Sequence, residues 1–242
     1  MSIGFDAPLD AGGLRLVVPG AAADAVDAAL ALGAHEPLVA ALETALGAAL
    51  DPRPLAEAGA DDIPRLWVEA AGGVRLGWSW PLLFALAGPP ACAIAWPALA
   101  FEVDVAGFDA SPRPAGAGAG VLLLPPAFDE PWRVALHAPA AGLAAAAVWR
   151  GPGTAPALEG RPAVAAAPRA RWRVQLAAPW SCALPALLGW SPAEPAPAGD
   201  AAWLVGPAGV EARGRIAPAF GGAGLWIDAA DDGGVPEARA WT

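Results

Sequence analysis

The side chains best suited to chemistry are few and scattered in this 242-residue sequence. His35 and His137 lie about a hundred residues apart. Neither has a cysteine or carboxylate at metal-ligand spacing, so no structural or catalytic zinc site is encoded locally. His137 falls at an alternating strand position, where partial exposure is expected, and His35 precedes Glu36 and Pro37 at a helix junction. The glycine-rich runs AGAGAG and GGAG are not followed by GK[ST] and do not sit between a strand and a helix, so they lack the context of a phosphate loop. Ser79 and Ser181 lie outside any GxSxG elbow. The acidic pairs Asp61/Asp62 and Asp231/Asp232 read as solubilising loop residues. The sequence is therefore read as non-enzymatic, with no cofactor and no metal.

Composition narrows the remaining classes. The chain holds 66 Ala, 29 Gly and 28 Pro, about half its length, and with Ala set aside only about 29% of residues are apolar. That is enough to bury a core. Lys, Asn and Tyr are absent and all 14 basic residues are Arg, the codon bias of a GC-rich gene. Trp outnumbers Phe, 12 to 6, so the aromatic part of any core or interface is mostly indole. A net charge of -10 argues against nucleic acid as a partner, because phosphate recognition needs clustered cations. The one basic cluster, Arg161, Arg169, Arg171 and Arg173, reads as a solvated strand edge. Cys92 and Cys182 read as buried free thiols in a reducing compartment. The opening MSIGFDAPLD has neither the cationic start nor the apolar run of a secretory leader, so a cytoplasmic location is expected.

These residues need elements to position them. Leu14, Leu16 and Val18 alternate as in a strand. From Ala21 to Leu50 the spacing of Val26, Leu30, Leu38, Leu42, Leu46 and Leu50 predicts helix, with Pro37 opening a second helix after the break at Gly33. Asp51 to Asp62 is a loop. Arg65–Ala70 and Gly73–Trp78 read as a hairpin across AlaGlyGly. Leu76 to Phe101 carries no charge for 26 residues, long enough to cross a bilayer. Pro81, Pro89, Pro90 and Pro97 break it, so a buried core segment is expected instead: a helix over Pro81–Ala87, a turn at Gly88–Pro90 and a strand around Cys92–Trp96. Phe101–Val105 alternates apolar and acidic residues as a half-exposed strand. Ala110–Gly120 is a loop and Val121–Leu124 a short buried strand. WRVALHAP at 132–139 recurs as WRVQLAAP at 172–179, six of eight positions identical, giving two related strand-led units.

The last seventy residues carry a more specific pattern. A strand at Arg171–Leu176 leads to LPALL at Leu184–Leu188, an AGD turn at Ala198–Asp200, the strand AAWLV, then GVEARGRI and GLWID. This resembles the SpoA module of the flagellar switch proteins FliM and FliN and of the type III secretion cytoplasmic ring component (the SctQ, HrcQ or YscQ family). The matching positions are Val174, Leu176, Leu184, Leu187, Gly199 and Asp200. The sequence departs from the pattern at Ala198, where the family has Pro, and in the inserted SPAEPAP. Leu42–Leu50, LETALGAAL, is similar to a helical segment in the N-terminal part of that family.

The resemblance implies a bacterial, non-enzymatic subunit of the cytoplasmic sorting platform, peripheral to the membrane at most. Its implied partners are a SpoA-domain protein, the stator of the export ATPase, and chaperone–effector complexes. SpoA modules pair through hydrophobic strands, which implies a pairing surface at Leu176, Leu184, Leu187 and Trp203. The competing assignment for those four residues is a self-contained core. The expected fold is α+β, an N-terminal mixed domain over residues 1–150 followed by a small β-rich SpoA-like unit over 165–242. From a different class, a soluble small-molecule-binding protein or enzyme with a Trp-lined pocket also fits the aromatic content.

Overall fold

A computed structural model describes residues 1–55, 66–112, 120–124, 131–164, 169–191, 195–220 and 222–228. The chain opens with β1 (Ser2–Leu9) and β2 (Gly12–Pro19), followed by α1 (Ala25–Gly33) and α2 (Glu36–Leu46). Next come β3 (Arg53–Pro54), β4 (Leu66–Ala70), β5 (Val74–Trp78), α3 (Trp80–Ala85) and β6 (Ile94–Ala95). The remainder is β7 (Ala98–Phe108), β8 (Val121–Leu124), β9 (Trp132–Ala138), β10 (Leu143–Trp149), β11 (Ala157–Leu158), β12 (Ala163–Val164), β13 (Trp172–Leu176), β14 (Trp180–Ala183), α4 (Leu184–Leu187), β15 (Ala201–Gly206), β16 (Gly209–Ala219) and β17 (Gly222–Ile227).

Strand accounts for 48% and helix for 18%, which overturns the expected α+β class in favour of a β-rich fold. Two antiparallel sheets dominate. The first has the order β3-β1-β2-β5-β4-β6, and the second, with eleven strands among the described residues, runs β11-β10-β9-β7-β13-β15-β16-β17-β8, with β12 on β10 and β14 on β7. The expected α+β balance fails because the helical spacing is confined to residues 25–46, whereas the strands find partners far away in sequence. The second sheet draws strands from both sides of residue 150.

Local chemistry explains the elements that do form as read. Leu14, Leu16 and Val18 point into the core from β2. Asp24 caps α1, its carboxylate accepting from the Val26 and Asp27 N–H groups. Pro37 opens α2, and Gly47 closes it at φ 64°, a left-handed cap that glycine takes without a Cβ penalty. The proline-broken uncharged stretch forms α3 and β6 within the body of the protein. Among the described residues no single helix is long and apolar enough to cross a membrane.

One continuous core joins the sheets, with Phe5, Leu16, Leu76 and Trp78 from the first and Phe101, Val103, Leu136, Val174 and Leu225 from the second. The Trp80 indole N–H donates to the Ala141 carbonyl at 2.7 Å, tying α3 to the turn after β9.

Candidate functional site: a charged seam on the central sheet

β7 is an interior strand of the larger sheet, and the two near-repeat strands lie on either side of it. β9 pairs Leu136 with Val103 and Ala135 with Asp104, and β13 pairs Gln175 with Asp104 and Arg173 with Gly107. The period-2 alternation of β7 sends Phe101, Val103 and Val105 into the core and Glu102 and Asp104 to the opposite face. There they meet His137 from β9 and Arg173 from β13.

Arg169, just ahead of β13, closes the group. Its Nε and Nη2 donate to Asp104 Oδ2 and Oδ1 at 2.9 and 2.7 Å, a bidentate pair, and its Nη1 donates to Glu102. His137 Nε2 lies 3.4 Å from Asp104 Oδ2, and Arg173 Nε lies 3.6 Å from Oδ1. Gly107 makes this approach possible. A Cβ there would come within 2.7 Å of the Ala170 methyl, so a side chain would hold the Arg169 segment off the sheet.

The electrostatics balance with His137 neutral, two carboxylates facing two guanidiniums. Burial pushes the His137 imidazole below its ordinary value and outweighs the pull of Asp104, with Arg169 adding to the depression. Burial also works against the Arg169 charge, but its hydrogen bonds to Asp104 and Glu102 outweigh that and hold it above the usual arginine value. Both oxygens of Asp104 are engaged by cationic groups. The arrangement is a clasp that fixes β9, β7 and the entry to β13, and among the described residues no group of three His, Cys, Asp or Glu side chains is placed to hold a metal ion.

Two sequence readings are corrected here. His137 is buried, with Glu102 opposite it on β7, Asp104 beside it and Arg169 bridging the two carboxylates. Arg169 and Arg173 are not a solvated strand edge, since both face Asp104. The signal that could have found the seam was charge complementarity: a strand with acids at alternate positions, and a cluster of arginines later in the chain.

The resemblance-derived positions fall into two groups. Val174, Leu176, Leu184 and Leu187 are buried in the core of the single chain. Gly199 and Asp200 form an exposed turn before β15, and Trp203 is half-buried on β15. Cys182 is buried and Cys92 half-buried, both are free, and burial pushes both thiols up, away from the reactive thiolate. A cleft of about 320 Å³ lies between the β1–β2 turn, the end of α2 and α3, lined by Leu9, Asp10, Leu46, Leu82 and Leu86 among others, and it contains no Trp. The indoles instead pack on one another, Trp96 against Trp78 and Trp190 and Trp132 against Trp149.

One end of the larger sheet is apolar on its outer face. Trp226 of β17 pairs with Val121 of β8, and Leu123 of β8 pairs with Gly224. Leu123 is 55% exposed, Trp226 45% and Phe220, in the β16–β17 connection, 87%. Phe220 also has φ 50°, the only positive value for a non-glycine residue among those described. No protein-family model matches the chain, and no curated protein and no solved structure matches it either.

Proposed function

We propose that this protein is a non-enzymatic assembly subunit of the type III secretion sorting platform, binding SpoA-domain partners and the ATPase-stator complex from the cytoplasmic face. The observation that supports assembly is the apolar sheet end formed by Leu123, Phe220 and Trp226. A left-handed backbone at a bulky residue costs about 1–3 kcal/mol, and Phe220 combines that conformation with an exposed ring. A sheet edge with exposed apolar side chains beside it is a template for strand addition by another chain. The SpoA assignment rests on the matching positions from Val174 to Asp200. Because Leu176, Leu184 and Leu187 are already used in the core, pairing is assigned to the free end at β8 and β17.

Light scattering on the full chain tests this reading. A dimer or larger species is expected, reduced to monomer by the double substitution Leu123→Ser and Trp226→Ser. A wild-type chain that stays monomeric at high concentration, alone and with a short SpoA protein from the same genome, would overturn it. A secretion ATPase gene and a short SpoA gene are expected as chromosomal neighbours.

A further inference from the structure

Helix α1 is apolar on both sides. Ala28, Ala31 and Leu32 face the body of the protein, whereas Val26, Ala29, Leu30 and Gly33 face out, with Val26 66% and Leu30 68% exposed. The shared spacing of Val26, Leu30, Leu38 and Leu42 leads one to expect a single buried stripe. Instead the two helices bend by 76° at their junction, which buries Leu38 and Leu42 and leaves Val26 and Leu30 uncovered. A helix that is apolar all round is ordinarily buried. Nothing overlies Gly33, where a Cβ would meet no atom within 4 Å.

Charge identifies what would cover it. Asp24 and Asp27 lie at the start of α1, Glu36 opens α2 directly after it and Glu43 lies further along α2, and no Arg or Lys occurs from residue 16 to residue 52. None of the four carboxylates is within ion-pair distance of a cation among the described residues. An acid-rimmed apolar stripe is complementary to a helix that is apolar on one face and basic at its flanks. Among the described residues a second copy has no such helix to offer, because α1, α2, α3 and α4 contain no basic residue. A membrane surface is disfavoured as well. The α1–α2 pair has the length and apolar composition of a bent membrane segment, but anionic headgroups repel carboxylates.

We infer that the outer face of α1 docks a basic amphipathic helix of a different protein. The site is separate from the sheet end at β8 and β17, so either can fail without the other.

The test uses the full chain and a fluorescent synthetic helical peptide with a leucine stripe flanked by arginines, read by anisotropy. Saturable binding is expected, weakened by salt, with Leu30→Ser and Glu36→Lys each costing about tenfold, the effect of losing one anchoring contact of about 1.4 kcal/mol. Backbone amides of residues 25–33 in the unsubstituted chain should gain hydrogen-exchange protection with the peptide, which keeps the test independent of how the variants fold. Equal binding by the Leu30→Ser chain, or by a peptide with glutamate flanks, would overturn the inference. So would pelleting of the chain with phosphatidylglycerol vesicles through Leu30, which assigns the face to a membrane. Self-association lost on Leu30→Ser would assign it to a second copy and overturn the inference equally. Oligomerisation through Leu123 and Trp226 should be unchanged by both α1 variants.

Discussion

Strands β9 and β13 begin with the same Trp-Arg-Val, and both lie antiparallel to β7, yet their arginines occupy different worlds. Arg133 is 84% exposed and reaches Glu159 at 3.6 Å, whereas Arg173 is 19% exposed and faces Asp104. The strand pattern is the same, but what lies across it is not. On the β13 side Gly107 lets the preceding segment drop onto the sheet, and Arg169 brings a second guanidinium to the same carboxylate. On the β9 side the corresponding neighbours are apolar residues of β10, with Ala146 opposite Ala135 and Val148 opposite Arg133. A near-repeat in sequence therefore fixes a strand and its inward face, and leaves the outward chemistry to the partner strands.

Removing the shared carboxylate should break this contrast most severely. Asp104→Ala leaves two guanidiniums with Glu102 as the one remaining carboxylate of the seam, on Arg169, in a poorly solvated place, and a loss of about 3 kcal/mol is expected in urea unfolding. Next in size, Gly107→Val forces Ala170 away from the sheet, with an expected loss of about 1–3 kcal/mol. Its thermal unfolding should respond little to a further Arg169→Ala substitution, because the clasp is already open; additive losses would contradict the coupling of Gly107 to Arg169.

The two arginines themselves give the most direct comparison. Arg173→Ala should cost about 1–2 kcal/mol, while Arg133→Ala stays within about 0.5 kcal/mol, as exposed ion pairs do. Equal effects would mean that the repeat, not its surroundings, sets the energetics. The smallest effect is a pH dependence. Because the folded imidazole binds its proton below the ordinary value of 6.5, the unfolded chain takes up the proton first as pH falls. The contribution of neutral His137 is thus complete above that value and declines below it, until the folded imidazole also titrates. The His137→Gln chain should show a flatter melting-temperature profile across that window.

Much of the local structure was legible in the residues. The alternation of Leu14, Leu16 and Val18, the AlaGlyGly hairpin, the Pro37 helix start and the LPAL turn of helix each carry their own instructions. Fold class was not, because the eleven-stranded sheet depends on pairings such as Gly107 with Arg173 that no local period reveals. β10 shows the difficulty in one segment: LAAAAVW has little intrinsic strand preference and is held extended by β9 on one side and by β11 and β12 on the other. The seam was half legible. Glu102 and Asp104 announce a polar face, but the burial of Asp104 comes with Arg169, whose approach requires a glycine sixty-two residues earlier. Val26 and Leu30 lie on a helix as their spacing predicts, but a helical period specifies a face without saying whether the body of the protein reaches it.

The place of β7 between β9 and β13 also sets a timetable. Its flanking strands are synthesised after it, and the second, β13, ends about 70 residues later. At translation rates of roughly 5–20 residues per second, one side of an eleven-residue apolar and acidic strand stays unpaired for several seconds on the ribosome. A nascent chain in that interval presents Phe101, Val103 and Val105 to any strand that arrives first, so the yield of native protein rests on what shields β7 until its second neighbour emerges.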